Sequence, residues 1–122
     1  VSDPIFLPDL SLGEHIELMQ RKTKVDLSDA LTTWQLEELL PLPPAQLSSG
    51  QRQRAFLAIQ LYLPTQVLLM DEPERYLDTH WQQCLTTELR NLASAGRIVV
   101  VATHSADMLA ACDHRIVVGH HG

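Results

Sequence analysis

The amino-acid sequence predicts an α/β fold in which a helical first half leads into part of a parallel sheet flanked by helices. Three observations carry that prediction. Val67-Leu68-Leu69-Met70 is an apolar run too short for an ordinary helix and bounded by polar residues, which suits a strand buried on both faces of a parallel sheet. Ile98 to Ala102 is a second run of the same kind, rich in β-branched residues. Before and between these runs, apolar residues recur at helical spacing behind N-capping residues.

Taken in order, Val1 to Asp9 contains Pro4 and Pro8 and reads as irregular loop. Ser11-Leu12-Gly13-Glu14 has the pattern of a capping box, in which the Ser11 hydroxyl accepts the Glu14 amide and the carboxylate reaches back. The helix it starts puts Leu12, Ile16 and Met19 on one face. Ser28-Asp29 starts a second helix that buries Leu31, Trp34, Leu36 and Leu39 or Leu40, and Pro41, Pro43 and Pro44 end it near Leu40. Ser48 or Ser49 caps a third helix through about Tyr62, with Ala55, Ala58, Ile59 and Tyr62 at helical spacing, and Pro64 breaks it. Pro73 ends the Val67 strand, because it has no N–H for a ladder. Asp78 or Thr79 then starts a helix with Trp81, Leu85, Leu89 and Leu92 inward and Gly96 as its stop. The Ile98 strand ends at Thr103-His104, Ser105 caps a short helix to about Ala111, and Arg115 to Val118 is a third strand. Residues 1–62 thus form a helical subdomain and 63–122 an α/β portion.

Composition narrows the function. A chain of 122 residues suits one small domain with its own core. Nine Lys and Arg against 15 Asp and Glu leave a net charge of -6, with the basic residues scattered apart from Arg21-Lys22 with Lys24 and Arg52 with Arg54. That balance argues against nucleic acid as a partner. Cys84 and Cys112 stand far apart and match neither a zinc spacing nor a disulfide framework, so a reducing setting is expected. No apolar run approaches the ~20 residues of a membrane span.

Two stretches carry chemistry. Asp71 and Glu72 stand at the carboxyl end of a buried strand, the edge where open α/β sheets bind ligands. Leu47-Ser48-Ser49-Gly50-Gln51 opens a helix, and its turn offers amides and hydroxyls beside the positive end of the helix dipole, a phosphate cradle. Gly50 lets the backbone approach a ligand closely. Each has a plainer counterpart: an acidic turn, and an N-cap ahead of a basic helix.

In sequence order, Leu47 to Gln51, Val67 to Pro73 with Glu74-Arg75-Tyr76-Leu77-Asp78, and His104 resemble the signature motif, the Walker B strand with its D-loop, and the switch histidine of the ATP-binding cassette (ABC) ATPases. Phe6 to Leu12 with Glu14 is similar to the segment that enters the helical subdomain in that family. The resemblance covers nearly the whole chain and implies a partial P-loop NTPase fold of the ABC type. Ser49 stands where the family more often has glycine.

The resemblance implies ATP and Mg²⁺ as cofactors. Ser48, Ser49, Gly50 and Gln51 would contact the γ-phosphate of a nucleotide held mainly by the opposite subunit of a head-to-tail dimer. Asp71 would hold the magnesium shell, Glu72 would orient or deprotonate the attacking water, and His104 would donate to the γ-phosphate. Asp78 matches the D-loop aspartate at the dimer interface, and it is equally an N-cap for the Trp81 helix. His114, His120 and His121 read as solvated surface. The Gly-Lys-Ser/Thr loop of the family is absent: the five glycines, at 13, 50, 96, 119 and 122, never precede a lysine, and Ser2 falls at or beside the place of the Q-loop glutamine. The chain thus reads as the carboxyl-terminal portion of a longer cassette, inactive by itself.

The expected function is that of the ATP-binding subunit of an ABC transporter, cytoplasmic and peripheral at the inner face of the cell membrane through a transmembrane partner subunit. The compact segment between Leu10 and Leu47 favours transport over the soluble repair or translation members, since it has no room for a long coiled-coil insertion. A non-catalytic interaction module is the other alternative; Glu72 and His104 argue against it. Apolar strands that lack neighbours, and their open edges, invite pairing with another chain. Self-association, by simple pairing or domain swapping, is therefore expected in analytical ultracentrifugation; a monodisperse monomer would contradict it.

Overall fold

A computed structural model of the chain describes residues 6–7, 9–110 and 112. The third strand expected at Arg115 to Val118 lies outside them, as do Ser2, His114, His120 and His121. In order come α1 (Leu12–Thr23), α2 (Ser28–Thr33), short 3₁₀ turns at Glu37–Leu39 and Pro44–Gln46, α3 (Ser49–Leu61), β1 (Val67–Asp71), α4 (Thr79–Ser94), β2 (Ile98–Ala102) and α5 (Ala106–Ala110).

The capping box of α1 forms as the sequence predicts: the Glu14 amide donates to Ser11 Oγ and the Ser11 amide to Glu14 Oε1. That Ser11 amide holds the Glu14 carboxyl below its ordinary pKa. Two more first-turn amides, which no intrahelical carbonyl can reach, are taken by the loop after α2. Leu12 N–H donates to the Leu42 carbonyl and Gly13 N–H to Leu40, at 2.9 and 2.8 Å. Leu12 and Ile16 are buried and Met19 packs partly against them. Next to them the buried His15 donates from Nδ1 to the Ser11 carbonyl and accepts the Leu7 amide at Nε2, each at 2.8 Å, which orients its ring.

The second helix is shorter than its sequence suggested. It stops at Thr33, Gln35 turns left-handed at φ 53°, and a separate 3₁₀ turn carries Leu39. Burial explains the break. Trp34 and Leu36 are both fully buried, yet on a continuous helix residues two apart point about 200° away from each other. Breaking the helix lets both face one core. Arg54 of α3 seals the break by donating from Nη1 to the Trp34 carbonyl at 2.9 Å. Its guanidinium also lies 4.5 Å over the Trp81 ring, which stacks on Trp34 at 5.6 Å. These three interactions join the end of α2 to α3 and α4, and one apolar cluster runs from Leu12 to Met108.

The strands β1 and β2 pair in parallel, Val67 against Ile98 through Asp71 against Ala102, with α4 as the crossover. Among the described residues the strands are buried on one face, and the apolar second face has the exposure expected of strands whose remaining cover lies elsewhere. Leu68 and Met70 are buried, whereas Val67, Leu69, Ile98 and Val100 are 49%, 72%, 59% and 50% exposed. The side chains on the opposite face, apolar like those of a sheet covered on both faces, meet solvent.

The start of α3 presses on the loop that follows β1. A Cβ added at Gly50 would sit 2.9 Å from the Tyr76 carbonyl oxygen. A Gly50→Ala substitution therefore sets helix propensity, worth roughly 0.5–1 kcal/mol in its favour, against overpacking onto backbone, which typically costs about 1–3 kcal/mol. The clash should win. Gly50→Ala is expected to lower the urea midpoint; an unchanged or raised midpoint would show that the loop yields freely.

Candidate functional site

Parallel pairing delivers the site's central pair. Because Asp71 stands beside Ala102, the residues that follow on each strand leave the sheet at one edge. The Glu72 amide extends the ladder to the Ala102 carbonyl at 2.7 Å. His104 Nε2 then lies 3.6 Å from Glu72 Oε1, with the two side chains 81% and 36% exposed. That separation exceeds a hydrogen bond, and an exposed pair of this kind adds little stability. The two groups face solvent side by side at the carboxyl edge of the sheet.

Glu72 reaches this position through an unusual backbone. Its φ is 46°, in the left-handed region, which for a residue with a side chain costs of the order of 1–3 kcal/mol. The Arg75 amide closes the turn onto the Glu72 carbonyl at 3.1 Å, and Pro73 is buried beneath it. Asp71 ends β1 on the uncovered face, exposed like Leu69 two residues before it. Among the described residues no three metal-binding side chains come together. The Asp71 carboxylate is an oxygen donor of the kind that magnesium takes singly while keeping most of its water.

Ser48, and not Ser49, is the N-cap of α3, and a second capping box forms. The Gln51 amide donates to Ser48 Oγ at 3.1 Å and the Ser48 amide to Gln51 Oε1 at 2.9 Å. This arrangement occupies acceptors. It leaves the hydroxyl hydrogens of Ser48 and Ser49, the Nε2 hydrogens of Gln51 and the leading amides of Ser49 and Gly50 as donors at the positive end of a 13-residue helix. An anion is the complement of such a set. The close approach of Gly50 is to the Tyr76 carbonyl, a reason for glycine that the sequence did not disclose.

In the loop from Pro73 to Asp78, Tyr76 is also left-handed, at φ 65°, and Leu77 is buried. Asp78 is the N-cap of α4, accepting the Trp81 amide at 3.0 Å. Two contacts brace this loop from outside it. Thr103 donates to Glu74 Oε2 at 2.6 Å, which ties this loop to the strand end that bears His104. Gln53 Nε2 donates to the Pro73 carbonyl at 2.9 Å and is buried. One signal of Gln53 was available: it shares a helix face with Gly50 and Leu57, three before and four after it.

Residues 4–110 match a family model described as “AAA domain, putative AbiEii toxin, Type IV TA system”. The energy-coupling factor transporter ATP-binding protein EcfA of Carboxydothermus hydrogenoformans is 33% identical over 100 residues, which cover 81% of this chain and 37% of that protein. The structure of an ATP-binding subunit of an ABC transporter superimposes with a TM-score of 0.81 at 22% identity, over 93% of this chain and 50% of that one. The dimeric structure of a bacterial ABC transporter cassette does so with a TM-score of 0.74 at 26% identity, over 86% and 50%. The chain therefore spans half or less of the length of these relatives. It belongs to the family of AAA-type domains matched by that model and, by its relatives and its fold, to the ATP-binding cassette nucleotide-binding domains.

Proposed function

We propose that the chain contributes the signature turn, the catalytic carboxylate and the switch histidine of an ABC transporter's ATP-binding subunit, which hydrolyses ATP to power transport. The observation that carries this reading is the placement of His104 Nε2 3.6 Å from Glu72 Oε1 at the carboxyl edge of two parallel strands. Two polar groups that contribute little to stability, one held by strained backbone, are the expected signature of a reaction centre. Glu72 accepts a proton from the attacking water while the bond between the γ-phosphorus and the β–γ bridging oxygen breaks, giving ADP and phosphate; a base so placed is typically worth ~10²–10⁴ in rate. His104 donates a hydrogen bond to a γ-phosphate oxygen, and Asp71 is the residue that would hold magnesium. Bound magnesium would neutralise phosphate charge.

The donors at the head of α3 serve a γ-phosphate held by a second nucleotide-binding domain, in a head-to-tail dimer with Asp78 near the interface. The Gly-Lys-Ser/Thr loop is supplied from outside these 122 residues, since none of their glycines precedes a lysine. Transport is favoured over the soluble repair and translation members by the names of the curated relatives and by the brevity of the helical part, where α1 has 12 residues and α2 six. No helix among the described residues is long and apolar enough to cross a membrane. Attachment at the inner membrane face would run through a transmembrane partner subunit.

Hydrolysis assays test the proposal. The chain alone should neither bind nor turn over ATP, and a separately supplied phosphate-loop lobe or the full-length protein should restore turnover. Glu72→Gln should then lower kcat by at least ~10² while ATP binding persists. Tight ATP binding by the isolated chain, or unchanged turnover in the Glu72→Gln variant, would overturn the assignment.

A further inference from the structure

Gln53 is 4% exposed, and its Nε2 donates to the Pro73 carbonyl, 20 residues away in sequence, at 2.9 Å. Pro73 follows Glu72, the left-handed residue whose amide is held by the Ala102 carbonyl at 2.7 Å. The proline ring already restricts φ of residue 73, so a bond to its carbonyl removes the remaining backbone freedom on that side. Glu72 is thereby gripped from both directions: by β2 through its own amide, and by α3 through Pro73. Gln53 also stands one turn after Gly50, which abuts the Tyr76 carbonyl from the same helix face.

We propose that Gln53 is a positioning residue for hydrolysis, a clamp that keeps the Glu72 turn in its strained conformation and couples the aim of the carboxylate to the signature end of α3. This rests on the ATPase reading above. Glu72 can be the base only while its carboxylate stays at the edge it shares with His104, and a left-handed glutamate relaxes to ordinary backbone once its turn is free. An apolar side chain of similar length would fill the same space and leave the Pro73 carbonyl without its donor. The clamp is therefore separable from packing.

Two variants and two readouts test it. In this chain, Gln53→Met should speed hydrogen exchange at the Arg75 amide, which closes the Glu72 turn, and at the Leu77 amide, which closes the next one onto Glu74, at least ~10-fold relative to α1. In the full-length protein the same variant should lower kcat by about 10–10² with KM for ATP within about twofold. Gln53→Glu supplies a donor only when its carboxyl is protonated, and burial favours that form. Its kcat relative to the unsubstituted enzyme should rise as pH falls, a profile that packing alone does not produce. Unchanged exchange and kcat in Gln53→Met would overturn the proposal, as would faster exchange in α1 to the same degree. If the unsubstituted full-length protein hydrolyses no ATP, the role in hydrolysis falls with the ATPase reading, whereas the exchange result decides separately whether the clamp exists.

Discussion

Parallel registration of β1 and β2 is the constraint on which the rest of the structure depends. Asp71 beside Ala102 places the next residue of each strand at a common edge, and the hydrogen bond from the Glu72 amide to the Ala102 carbonyl carries the pairing one residue into the turn. A slip of one residue would reverse every side chain between the two faces. Leu68 and Met70 would leave the core, and Glu72 would lose its place beside His104. The pairing register is thus also what sets Glu72 beside His104.

A second constraint works through α3, which stands between the two halves of the chain. Its apolar face, with Ala55, Leu57, Ala58, Ile59 and Leu61, belongs to the shared core. Its N-terminal turn meets the loop after β1 at Gly50 and Gln53, and Arg54 fastens it to Trp34 and Trp81. The helix that carries the donor-rich turn is therefore the one that braces the loop after β1. Left-handed backbone at Glu72 and Tyr76 is tolerated because the surrounding contacts specify it more than once.

The same molecule leaves one apolar sheet face open. Leu69 is 72% exposed and Ile98 59%, whereas the alternate residues Leu68 and Met70 are buried. Side chains of this kind on both faces belong to a sheet with cover on each side, and the described residues supply cover on one.

Local chemistry was legible from the sequence alone. Ser11 with Glu14, Ser48 as one of two possible caps, Asp78 ahead of Trp81 and Gly96 at φ 96° after α4 were all readable, because a cap depends on residues within one turn of each other. The ABC-type fold was legible too, through short motifs in a fixed order, and with it the candidates Asp71, Glu72 and His104. What tertiary structure alone decided depends on residues far apart in sequence. The break after Thr33 follows from Trp34 and Leu36 competing for one core, against a run of sequence that favours a continuous helix. The glycine at 50 answers to a carbonyl at 76, and the glutamine at 53 to a carbonyl at 73. A polar side chain in an apolar helix face looks the same in sequence whether it meets water or a buried backbone oxygen, and only the packing of the helix against the loop tells the two apart.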